Sequence, residues 1–201
     1  MGLFNKNQNA NVQISQRQML ENTVKISRNN LLLVLLFSAI NIILRVTSSD
    51  TYFLFSAYVP LLLSALGMEL TGKYPPEFYG EDLSSYVFLD DSFLYIMLGI
   101  AVFILVLYAL CWVFSKKNPK GWLIFALVLF SIDTAMMLLL AGISLDFLVD
   151  YLFHGWVIVS LIKGLSALKK LKDLPEEIVE ADFVEEEIAQ EEETAAVTVE
   201  E

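Results

Sequence analysis

Four ionisable side chains, Asp133, Asp146, Asp150 and His154, stand inside two long apolar runs that meet near Ile143. A charged group at membrane depth costs a few kcal/mol on insertion scales, so it needs a partner or a purpose. Asp146, Asp150 and His154 are spaced i, i+4, i+8, which on a helix makes one stripe. If the runs are antiparallel helices turning at Ile143, Asp133 lies 10 residues before the turn and His154 lies 11 after it. At the helical rise both then sit about 15 Å deep and level with each other. Whether they face each other depends on helix rotation, which spacing does not fix.

Three chemistries fit this set. Asp133 and His154 can satisfy each other, or hydroxyls such as Thr134 and Ser160, as glue between helices. They can form a proton or cation path, with His154 exchanging protons and Asp150 and Asp146 leading outward. An imidazole with two or three carboxylates can also hold a metal. A lone histidine lacks the His-rich spacing of metal motifs, so no metal ligand, cofactor-binding residue or catalytic residue is assigned. Small residues at four-residue spacing, Ser131 with Ala135 and Ser160 with Gly164, offer close helix approach within the chain or between copies.

The elements that carry these residues are membrane helices. The 201-residue chain is 56% apolar, with a mean hydropathy of +0.60, beyond the range of ordinary soluble domains. Long runs with no charge or one charge match the roughly 20 residues that cross a bilayer core. The short alternating segments of a β-barrel are absent. The expected fold is all-α: a polytopic transmembrane helical bundle of four spans plus one re-entrant or interfacial helix, or a fifth span. The spans are expected over residues 30–47, 93–114, 121–141 and 145–163, with residues 51–68 re-entrant or spanning. Pro60 in the middle of that last run is expected to kink its helix, and Tyr52, Phe53, Phe55 and Tyr58 resemble an interfacial belt.

Basic residues decide between the threadings. They lie in the N-terminal arm (Lys6, Arg17, Lys25, Arg28), in the turn at Lys116, Lys117 and Lys120, and at Lys169, Lys170 and Lys172, whereas the connector over 69–92 holds only Lys73. Four spans with both termini inside place all three basic segments in the cytoplasm and the connector outside. The alternative is five spans with the N-terminus outside. Residues 1–30 are expected to form a cytoplasmic polar arm, its first 13 residues disordered and the rest an amphipathic interfacial helix or an extension of the first span. The arm has no apolar core with a cleavage site, and Lys6 stands where a myristoylation signal needs Ser or Thr.

The formal charge of −11 is a property of the tail. Of 24 acidic residues, 13 lie in 173–201, leaving 11 acidic residues against all 13 Lys and Arg in the first 172. That tail is expected to be disordered and cytoplasmic, and to favour basic protein surfaces over anionic lipid or nucleic acid. The expected partners are the lipid bilayer and, through self-association or otherwise, another membrane protein. Cys111, the single cysteine, precludes an intrachain disulfide and is read as a small buried hydrophobe. Catalysis is not expected: there is no Gly-x-Ser-x-Gly, His-Glu-x-x-His or phosphate-binding glycine loop. The aromatic connector over 69–92 is read as lying against the membrane surface, the sharper alternative being a carbohydrate or peptide site.

Two stretches, Asp50-Thr-Tyr-Phe-Leu-Phe-Ser-Ala-Tyr-Val-Pro60 and Asp150-Tyr-Leu-Phe-His154-Gly-Trp156 continuing to Gly164-Leu-Ser-Ala-Leu-Lys169, resemble small polytopic membrane proteins of Gram-positive bacteria. The resemblance covers about residues 28–172. It implies a bacterial plasma-membrane location and brings no assigned activity or functional residue.

Overall fold

The computed structural model describes residues 3–49, 51–80, 86–142 and 144–174, with side chains from Gln16 onward apart from that of Asp146. Among the described residues the protein is all-helical: α1 (Leu3–Val46), α2 (Tyr58–Leu70), α3 (Asp91–Phe114), α4 (Pro119–Ala141) and α5 (Leu148–Asp173). Four of these contain stretches long and apolar enough to cross a membrane: Gln16–Val46, Asp91–Phe114, Pro119–Ala141 and Leu148–Asp173. The acidic tail beyond Leu174 lies outside the described residues.

No glycine or proline interrupts α1, so arm and span form one helix of 44 residues. The Asn- and Gln-rich start, expected to be disordered, has helical backbone from Leu3. An anchored span supplies the nucleus from which such a segment propagates. The helix ends with Ser48 at φ 55°, where Ser49 N–H donates to the Leu44 carbonyl at 2.9 Å and Ser48 N–H to Arg45 at 3.0 Å. These crossed bonds reverse the chain.

Residues 51–57 then run back down the side of α1 without regular structure, and α2 climbs out again. With 13 residues, α2 rises only about 20 Å, short of the roughly 30 Å hydrocarbon core. Pro60 is its third residue, where the missing N–H has no intrahelical acceptor to lose. The expected kink therefore does not occur, because the helix starts at Tyr58 and not at the head of the apolar run. The C-terminal end of α2 packs on the start of α3: a Cβ on Gly67 would lie 3.0 Å from Leu94 Cδ1.

α1 and α5 cross antiparallel and in close contact. The Ser27 hydroxyl donates to the Ser160 carbonyl at 2.6 Å, and Asn30 Nδ2 donates to Ser160 Oγ at 2.6 Å. Gly164 permits this approach, since a Cβ there would meet Ser27 Oγ at 2.5 Å. Ser131 and Ala135, the other small pair, are exposed. The shared core includes Leu31, Val34, Tyr108, Cys111, Leu123, Phe130, Val157 and Leu161, all fully buried. The outer faces carry exposed large apolar residues such as Leu139, 77% exposed, as suits surfaces that meet lipid.

All three basic segments gather at one end of the bundle. Arg28 Nε donates to Ser115 Oγ at 2.9 Å beside the lysine turn, and Gln16 and Leu20 share a surface recess with Lys170. The connector occupies the opposite end. There the rings of Tyr74, Phe78, Tyr79, Tyr86 and Phe88 pack on one another, with centroids 4.5 to 6.0 Å apart. Lys73 Nζ pairs with Asp91 at 2.7 Å. Residues 81–85 of the connector are outside the description.

Candidate intramembrane polar site

The descending segment presents backbone amides to the apolar bundle, and three polar side chains meet them. Asn41 of α1 accepts from Phe53 N–H at 2.6 Å and donates through Nδ2 to the Phe53 carbonyl at 2.7 Å and to Ser56 Oγ at 2.8 Å. Ser38, one turn earlier, accepts from Ala57 N–H at 2.8 Å. Asp133 of α4 takes the next two amides, Oδ2 from Tyr58 at 2.9 Å and Oδ1 from Val59 at 2.8 Å. Irregular backbone at such depth persists only where protein satisfies it. Asp133 thus caps the N-terminus of α2 from another helix, with its charge at the positive end of the helix dipole.

His154 closes the arrangement. Its Nε2 lies 3.1 Å from Asp133 Oδ2, and its Nδ1 lies 2.7 Å from the Asp150 carbonyl one turn earlier. A carbonyl only accepts, so Nδ1 carries a proton and donates. The Nε2–Oδ2 contact then holds a single further proton, and the Asp–His pair has no net charge when that proton sits on either atom. The imidazole stacks on Phe130 at 4.9 Å and packs edge-on to Phe153 at 5.8 Å. Asp133 is 3% exposed and His154 1%, which commits both to protein partners.

Asp150 is buried and faces a cavity on the connector side of His154; Tyr52 is placed to donate to its carboxylate. Asp146 lies in a 3-10 turn, Leu145–Phe147, ahead of α5; its side chain is outside the description. Thr134 hydrogen-bonds to the Phe130 carbonyl of its own helix, and Ser160 joins α1 instead of the Asp–His pair. Among the described residues no group of three or more His, Cys, Asp or Glu is placed to hold a metal ion. Cys111 is buried in the apolar core.

Sequence reasoning missed Ser38 and Asn41 as members of the site, and Arg45 as a wall of the adjoining cavity. Their signal is the spacing i, i+3, i+7 on α1, a polar stripe within an apolar helix. Replacing Asn41 with Leu removes the partner of the part-buried Phe53 N–H and carbonyl and of the Ser56 hydroxyl. We expect a loss of about 2–3 kcal/mol, seen as an apparent Tm lower by roughly 5–10 °C in a detergent-solubilised unfolding assay.

The fold is an all-helical bundle of the multi-pass membrane type, with four helices long and apolar enough to cross a membrane and one shorter apolar helix, α2. No protein-family model matches the chain, and no significant match is found among curated proteins or solved structures.

Proposed function

We propose that this is a non-enzymatic integral membrane protein, a scaffold or accessory subunit of the bacterial plasma membrane, in which the Asp133–His154 pair is a structural clamp. One observation carries the reading: both oxygens of Asp133 are taken up by the amides of Tyr58 and Val59 and by His154. A carboxylate that fastens a half-helix is poorly placed to bind and release a moving ion. The rival, a small proton- or cation-coupled transporter, draws on a different observation: His154 also lines the cavity that holds Asp150.

Substituting Asp133→Asn and His154→Ala separates the two. If α2 loosens, or folding and abundance fall together, the pair is structural. A variant that stays folded while a pH-dependent flux disappears makes it a transport site and overturns the clamp. A transport role would also call for self-association, because four spans enclose little interior.

By the positive-inside rule the basic end faces the cytoplasm, with both termini inside and the connector outside. A reporter fused at Met1 should be reachable only from the cytoplasmic side; labelling from the outside alone would reverse the assignment. The partners of such a protein are bilayer lipid and another membrane protein or a second copy, with the acidic tail directed at basic protein surfaces and not at nucleic acid.

A further inference from the structure

A cavity of about 340 Å³ opens between α2 and the α4–α5 hairpin, within the size range of small-ligand sites. It goes beyond the clamp, since Asp133 is not among its lining residues. Its lining combines the polar Arg45, Tyr52, Asp150 and His154 with the apolar Leu61, Leu62, Ala65 and Met137.

The two charged residues, Arg45 and Asp150, carry opposite signs without neutralising each other. Among the described residues no carboxylate lies within ion-pair distance of Arg45, whose guanidinium sits beside Tyr74. Asp150 is 8% exposed, and its carboxylate has Tyr52 as hydrogen-bonding neighbour. Opposite charges that line one void without pairing leave both open to a complementary ligand. A guanidinium fork suits a carboxylate or phosphate, and a buried carboxylate suits a primary ammonium with N–H donors.

We propose that the cavity binds a zwitterion with an apolar arm: its anionic group on Arg45, its primary ammonium on Asp150, and its arm against Leu61, Leu62, Ala65 and Met137. That chemistry has two sources, the headgroup of an ethanolamine phospholipid and a free apolar amino acid.

The test uses the full chain in a maltoside detergent, wild type and the variants Arg45→Gln, Asp150→Asn and Ala65→Phe. Native mass spectrometry compares dioleoyl phosphatidylethanolamine with dioleoyl phosphatidylglycerol, and titration calorimetry measures leucine. The expected result is binding of at least one zwitterion by the wild type, weakened tenfold or more by each substitution, with phosphatidylglycerol bound at least tenfold more weakly. Retention of phosphatidylethanolamine with leucine silent identifies a lipid site, and a leucine isotherm identifies a soluble ligand. Equal binding of the two lipids with leucine silent, binding indifferent to the substitutions, or no binding of either zwitterion overturns the proposal. Should Asp150→Asn fail to fold, Arg45→Gln and the cavity-filling Ala65→Phe decide.

Discussion

Replacing Asp133 by asparagine is expected to unfasten α2 while leaving the four long helices in place. Asparagine presents one acceptor oxygen where aspartate presents two, so its amide nitrogen must face the Tyr58 or Val59 amide, donor against donor. The contact with His154 Nε2 on the same carboxylate is perturbed as well. Hydrogen bonds between membrane helices average only about 0.6 kcal/mol, because the separated state finds other partners. Three contacts on one buried carboxylate are a different case, and breaking such a set costs about 3–5 kcal/mol. Hydrogen–deuterium exchange is the sharpest measurement. The amides of Tyr58 and Val59 should lose protection by about 100-fold or more, equivalent to roughly 2.7 kcal/mol, whereas the amides of α3 should change little. Unchanged protection at these two positions would remove the physical basis of the clamp.

Gly164→Ala is expected to be the second severe substitution, through volume and not charge. The added Cβ would lie 2.5 Å from Ser27 Oγ and 2.7 Å from Ser27 Cβ; rotation about χ1 can move the hydroxyl, but the Cβ is fixed to the backbone. α1 and α5 must separate, which also stretches the 2.6 Å bonds from Ser27 and Asn30 to Ser160. Overpacking of this kind costs about 1–3 kcal/mol, and each stretched bond adds about 1 kcal/mol, for a total of roughly 3–5 kcal/mol. Combining it with Ser27→Gly removes both clashing atoms. The double variant should therefore be more stable than Gly164→Ala alone, with a coupling energy of at least about 1 kcal/mol. Strict additivity in unfolding measurements would show that the two residues do not meet.

The four long helices are legible in the sequence because the bilayer sets a length scale that hydropathy reads directly. The shortness of α2 is also legible, though indirectly: the lysines at 116–120 and 169–172 reach the same end as Arg28 only if residues 51–68 do not cross. Counting from Ile143 puts Asp133 and His154 level, and their side chains meet at 3.1 Å. What hydropathy and spacing do not carry is the other half of the site. The partners of Asp133 at Tyr58 and Val59 are backbone amides, which have no side-chain signature, so the carboxylate reads as one member of a pair when it is a helix cap as well. Pro60 misleads for a related reason. Its effect depends on where α2 begins, and that start is set by Ser38, Asn41 and Asp133 on other helices. Asp146 falls in the 3-10 turn Leu145–Phe147 that precedes α5, a change of winding that its four-residue spacing from Asp150 does not announce.

The cap on α2 also has a consequence for biogenesis. Tyr58 and Val59 leave the ribosome 75 and 74 residues ahead of the carboxylate that receives their amides. At about 5–20 residues per second, that interval is roughly 4–15 s, during which Ser38 and Asn41 of α1 can already hold residues 53–57 but the first amides of α2 lack their carboxylate. Capping of α2 is therefore a late step of assembly, and its timing is governed by the synthesis of a distant helix.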